Sequence, residues 1–222
     1  MTINNNQIKA IIFDMDGVLI DTEKYLTRFW CMAAKEAGFN MELSHAYMIR
    51  SLQGKFAAEK LKEIFGEAFD YEAVRNRRKE LMNEHLKACG IEPKPYVKEA
   101  LTKLKGSGYV LAVATSTDNI RAKEYLSEIG VYSMFDKVVC ANMVENGKPM
   151  PDIYLYACEN IGYKPENCVA VEDSANGVTA AYRAGLNVVM IPDLTKETDK
   201  EKAMTYKVVL NLKQLADLLT TE

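Results

Sequence analysis

The chain has 222 residues, of which 48% are hydrophobic and 27% charged, with a formal net charge of −3. This balance supports a substantial core in one large domain, or in one domain with an insertion, and gives no global attraction to nucleic acid or anionic lipid. No apolar run is long enough to span a bilayer, and the polar stretch 1–7 lacks the basic-then-apolar pattern of a signal peptide, so a cytoplasmic protein without a membrane partner is expected. The five cysteines are scattered, with no Cys-x-x-Cys, which suits buried thiols rather than a disulfide frame. The only histidines, His45 and His85, argue against a His-rich zinc site or a Ser-His-Asp triad.

Residues 8–13 are apolar and β-branched and read as a buried strand. Two aspartates follow one residue apart, Asp14 and Asp16, and then Gly17. From residue 22 to about 90 the apolar period becomes helical, with stretches from Tyr25 to a stop at Gly38, then 57–65 and 71–88, and no convincing strand. Pro93 and Pro95 break this pattern. Helix and strand then alternate: helix 96–105, strand 109–114, helix 119–129, strand within 135–140, helix 151–161, strand 168–171, helix 175–184, strand 187–191, strand 207–210 and a final helix from Leu212. Alternation of this kind predicts an α/β protein with a Rossmann-like parallel sheet covered by helices on both faces. The all-helical block reads as an inserted cap, giving a core of 1–20 and 91–222 and a cap domain of 21–90.

The chemistry gathers where strands end. After the first strand stand Asp14 and Asp16; after the second Thr115, Ser116 and Thr117; past the third Lys148; after the fourth Glu172, Asp173 and Ser174. Right-handed crossovers bring these ends to one sheet edge, where open α/β sheets bind ligands. Carboxylates, a hydroxyl and an ammonium suit a phosphate and a divalent cation. Taken singly, Thr115 also reads as a turn hydroxyl, Lys148 as a surface lysine, and Glu172 with Asp173 as solvent-facing charges ahead of a helix capped by Ser174.

Asp14-Met15-Asp16-Gly17-Val18, Thr115, Lys148-Pro149-Met150-Pro151-Asp152 and Glu172-Asp173-Ser174 resemble the four ordered motifs of the haloacid dehalogenase superfamily. The insert resembles the small helical cap of its β-phosphoglucomutase-like branch. The resemblance covers essentially the whole chain and implies Mg²⁺-dependent phosphoryl transfer through an aspartyl-phosphate. It implies Asp14 as nucleophile and Asp16 as general acid/base. It places Thr115, Ser116 and Lys148 on the phosphate, and Asp14, the Asp16 carbonyl, Asp173 and Glu172 around Mg²⁺.

Charge arithmetic agrees. A carboxylate attacking a phosphate dianion meets two repulsive pairs, each about 4 kcal/mol at roughly 4 Å and an effective dielectric of about 20. Mg²⁺ and Lys148 supply positive charge where that cost arises. Within the superfamily, Asp16 separates phosphatases and phosphomutases from dehalogenases. Leu26 stands where mutases carry a histidine, Lys55, Phe56 and Ala57 follow Gly54 where they carry an arginine, and Asp118 stands where they carry a basic residue. The extra phosphate grips of a mutase are therefore expected to be absent. A phosphatase for a small phosphorylated metabolite, such as a sugar phosphate, is the leading reading. A β-phosphoglucomutase-type enzyme is the alternative, and a non-catalytic binding protein on the same fold is the reading from another class. The basic run Arg75, Arg77, Arg78 and Lys79 reads as a solvated helix face, with Lys79 the one residue that reaches toward an anionic substrate in a second reading. His45 and His85 are assigned no role, and the oligomeric state is left open.

Overall fold

The computed structural model describes residues 7–221; most of the polar N-terminal stretch lies outside them. Among the described residues, one six-stranded sheet is entirely parallel, in the order β3-β2-β1-β4-β5-β6. Its strands are β1 (Ala10–Phe13), β2 (Val110–Thr115), β3 (Lys137–Cys140), β4 (Cys168–Glu172), β5 (Asn187–Met190) and β6 (Lys207–Val208). This is the Rossmann-like arrangement. The strand order turns around at β1, so a crevice opens at the carboxyl ends of β1 and its neighbours.

Side chains alternate across the pleat. Ile11, Phe13, Leu111, Val113, Val169 and Val171 pack on one face beneath α5 (Val97–Gly106), α6 (Asn119–Glu128) and α10 (Leu212–Thr220). Ala10, Ile12, Ala112, Ala114, Ala170 and Val188 line the other face, under α7 (Asp152–Ile161) and α8 (Ala175–Arg183). The many alanines on this second face let those helices approach closely. Because both faces are covered, the strands read as unbroken apolar runs.

Four helices intervene between β1 and α5: α1 (Glu23–Glu36), α2 (Leu43–Met48), α3 (Gly54–Phe65) and α4 (Tyr71–Cys89). They pack around their own core of Phe29, Trp30, Leu61, Phe69, Val74 and Met82. The two chain segments that lead into and out of this block run together: Ile20 bridges Pro93, the Asp21 amide donates to the Glu92 carbonyl, and the Lys94 amide donates to the Leu19 carbonyl. Two short helices, α2 and α9 (Asp199–Met204), have no counterpart in the sequence reading. Each is six residues long, too short to show an apolar period, and each begins with a capping box, at Glu42 and Thr198.

Candidate active site

β1 delivers Asp14 to the carboxyl edge of the sheet, and the Asp14 amide donates to the Val171 carbonyl, extending the ladder with β4 by one residue. The Asp14 carboxylate is buried and accepts a hydrogen bond of 2.7 Å from Lys148 Nζ. Lys148 is wholly buried and also lies 2.6 Å from Glu172 Oε1, with the Tyr154 ring 5.3 Å away. Two carboxylates hold its proton against the burial that opposes the charge, and its pKa is raised. Tyr154 donates its hydroxyl hydrogen to Glu172, so a phenol from α7 completes this ionic group.

Asp16 stands two residues beyond Asp14. Its carboxylate accepts from Thr22 Oγ1 and, at 2.8 Å, from Thr117 Oγ1. Burial raises the Asp16 pKa, as does the nearby charge of Asp14; the two hydroxyls work against the rise. A carboxyl in that condition holds a proton more readily than a solvated one, the direction that general acid-base work requires. Gly17 follows at φ +86°, and a Cβ there would lie 2.2 Å from Asp173 Oδ2. Gly177 on α8 is equally constrained: its Cβ would lie 2.0 Å from Glu172 Oε2. Both glycines exist to let backbone pass a buried carboxylate.

Glu172 ends β4, Asp173 follows it, and Ser174 caps α8 by accepting from the Gly177 amide. Carboxylate oxygens of Asp14, Glu172 and Asp173 lie within 4.8 Å of one another. Asp173 Oδ1 is buried with no hydrogen-bond partner. An orphaned oxygen in an all-carboxylate group fits a hard divalent cation, so these residues can hold a metal ion. The Asp16 side chain is outside the group, turned to its two threonines.

A cap residue also reaches this place. Arg50 is buried, pairs with the Asp173 side chain through Nη2, and has Nε 3.7 Å from Glu23 Oε2. Burial pushes the Glu23 carboxyl up to about 8, against the opposing pull of Arg50. The loop around Arg50 is tied to the sheet edge. Ser116 Oγ donates to the Ser51 carbonyl, Asn176 to the Arg50 carbonyl, and the Gln53 amide to the Lys148 carbonyl. The helical block therefore lies over the sheet edge.

The predicted site residues separate into two groups. Asp14, Lys148, Glu172 and Asp173 are brought together, with Asp16 beside them. Thr115 is fully buried and its hydroxyl accepts from the Thr117 amide, while the Ser116 hydroxyl is engaged by the cap loop. The sequence reading missed Thr22 and Thr117, although Thr22 directly follows the first motif and Thr117 the second. It also missed Tyr154, Glu23 and Arg50, whose roles depend on contacts across 18 or more residues. His45 accepts the Glu42 amide at the start of α2 and His85 packs on Tyr25, both within the cap.

A cavity of about 350 Å³ opens above Asp14 and Asp16. Leu26, Trp30, Tyr71, Ser116 and Thr117 are on its wall. So are Arg75, Arg78 and Lys79, which corrects the reading of the basic run as a solvated face. Only Arg77 fits that reading: it points away and pairs with Glu36 and Glu80. Residues 75, 78 and 79 share one side of α4, and 77 lies on the other.

Comparison with known proteins agrees with this geometry. The family described as haloacid dehalogenase-like hydrolase matches residues 11–191. The phosphorylated carbohydrates phosphatase of Thermotoga maritima is 35% identical over 184 residues, covering 81% of this chain and 82% of its own. The fructose-1-phosphate phosphatase YqaB of Escherichia coli is 28% identical over 180 residues, covering 81% and 94%. The β-phosphoglucomutase of Clostridium difficile superposes with a TM-score of 0.77 at 22% identity, over 94% of this chain and 93% of that one, a likeness of fold. The chain belongs to the haloacid dehalogenase-like hydrolase family and is a phosphoric monoester hydrolase.

Proposed function

We propose that the protein hydrolyses a small phosphorylated metabolite, a sugar phosphate by the likeness of its named relatives, through a phosphorylated Asp14. The observation that carries this reading is a buried Asp14 held by Lys148 at the floor of a cavity, with Asp16, its pKa raised by burial, two residues on. Asp14 attacks phosphorus, its carboxylate oxygen forming a new P–O bond as the bond to the substrate oxygen breaks. Asp16 gives its proton to the departing alkoxide. Asp16 then takes a proton from water as the water oxygen attacks phosphorus, which restores Asp14 and releases inorganic phosphate. Lys148 offsets phosphate charge from a buried position, and Thr115 and Ser116 bring hydroxyl and backbone donors from the end of β2.

Asp14, Glu172, Asp173 and the Asp16 carbonyl would hold Mg²⁺. When bound, the ion supplies positive charge against the phosphate oxygens. The helical block 21–90 would act as a cap domain on a core of 1–20 and 91–222. It would open across the paired segments at Ile20 and Pro93 to admit substrate and exclude water on closure. Among the described residues no helix is long and apolar enough to cross a membrane. A small-molecule substrate in the cytoplasm suits this reading.

The test is phosphate release from a panel of sugar phosphates, with Mg²⁺ and with a chelator. Mg²⁺-dependent release that disappears in Asp14→Asn supports the mechanism; full activity of that variant refutes it. Isomerisation of β-glucose 1-phosphate with a bisphosphate primer, in place of phosphate release, would make the protein a mutase.

A further inference from the structure

The cavity has a second charged side. Tyr71, Arg75, Arg78, Lys79 and Met82 form one stripe along α4, and Arg121 meets them from α6. These four cations have few counter-ions. Arg75 has Glu72 at 3.7 Å, a carboxylate 67% exposed. Arg121 has Asp118 at 3.9 Å and the Asn83 side-chain oxygen at 3.5 Å. Arg78 lies 5.3 Å from the centre of the Trp30 ring, and its buried Nε has no hydrogen-bond partner. No hydrogen bond or ion pair to Lys79 is found among the described residues.

Neighbouring acids do not neutralise this group. Asp14 is occupied by Lys148, Asp16 by two threonines, and Glu23 and Asp173 by Arg50. Like charges gathered around a low-dielectric space repel, and the direction of their pKa shifts agrees. Burial and Arg75 bring Arg78 down to about 10; burial, then Arg75 and Arg121, lower Lys79. A fold has no stability reason to collect such a group around a cavity.

From this arrangement we infer that Arg75, Arg78, Lys79 and Arg121 form a subsite for a second anionic group of the substrate, a carboxylate or a second phosphate, remote from the phosphoryl group that Asp14 attacks. Guanidinium forks match the two oxygens of either group, and Lys79 adds a mobile point charge. Trp30 and Tyr71, stacked on each other at the same cavity wall, offer apolar surface to the carbon chain between the two anions. These cations come from α4 and from the first turn of α6, not from the positions where mutases carry their phosphate grips. The assignment of the two ends rests on the phosphatase reading above.

The test uses two matched pairs in Mg²⁺: fructose 1-phosphate against fructose 1,6-bisphosphate, and glycerol 3-phosphate against 3-phosphoglycerate. Within at least one pair, kcat/KM for the doubly anionic member should exceed its partner by about tenfold or more, mostly through KM. The pair that shows it identifies the second group as phosphate or carboxylate. Lys79→Met and, on a different helix, Arg121→Met should each shrink that ratio several-fold, and Lys79→Arg should restore it. Ratios near one in both pairs, or a ratio unmoved by both methionine variants, overturn the subsite. If none of the four compounds releases phosphate, the phosphatase reading fails for these substrates. Calorimetry on Asp14→Asn then decides the subsite by itself: tighter binding of fructose 1,6-bisphosphate than of fructose 1-phosphate upholds it, and equal binding removes it.

Discussion

On the sheet side of the cavity both buried cations lie between carboxylates: Lys148 between Asp14 and Glu172, and Arg50, reaching in from the helical block, between Asp173 and Glu23. On the other side Arg78 and Lys79 face the same space with no carboxylate partner among the described residues. The sheet side is assembled by folding itself, and its charges lock one another in place. The cap side stores repulsion that only a ligand relieves. Chemistry and selectivity thus occupy opposite walls, and a change on one wall should register differently from a change on the other.

Asp14→Asn should give the largest effect, a loss of at least about three decades in kcat with the far-ultraviolet circular dichroism unchanged. The amide keeps the carboxylate's shape but cannot act as the nucleophile; a loss under tenfold would dissociate Asp14 from the chemistry. Next comes Lys148→Met, which leaves Asp14 and Glu172 buried without their shared cation. Breaking such a group costs about 3–5 kcal/mol, or roughly 10 °C in Tm for a chain of this size. A melting curve within about 2 °C of wild type would mean that the sheet-side charges are not interlocked.

Arg50→Met should be intermediate. Without the guanidinium, Asp173 and Glu23 lack their partner, and a divalent cation becomes the remaining source of positive charge. Mg²⁺ titration is expected to raise the Tm of this variant more than that of the wild type. An identical response in the two proteins would separate Arg50 from the cation site.

Lys79→Met should be the mildest, within about 0.5 kcal/mol of wild type or slightly more stable in the absence of substrate. The sign follows from linkage. Lys79 has a lowered pKa in the fold, so its charged form destabilises the native state below that value, and the penalty fades as pH rises through it. For the same reason, preference for doubly anionic substrates should begin to fall at a pH below the ordinary lysine value of about 10.4. A preference constant up to that pH would exclude Lys79 as the charge that recognises the second group.

The sheet and its site were legible for one physical reason: a buried parallel strand must be apolar, so polar residues at its end stand out. Asp14 after Phe13, Thr115 after Ala114, and Glu172 after Val171 are all visible this way. Thr117 and Thr22 were passed over because a threonine in a turn has several local uses. Arg50 gives no sequence signal, since its value lies in meeting Asp173, more than a hundred residues along. The basic run of α4 was misread because four adjacent cations look solvated until a second surface is packed against one side of the helix.

Strand positions, the motif carboxylates and the interruption by helices follow from the sequence alone, because they rest on local apolar period and on the polar residue that ends each run; the order of the strands in the sheet does not. The pairing of each charge was decided only by tertiary structure. Whether Arg78 lies at the surface, as Arg77 does with its glutamates, or lines the cavity depends on how the helical block sits upon the sheet. An electrostatic partner is a matter of distance in space, which residue spacing along the chain does not encode.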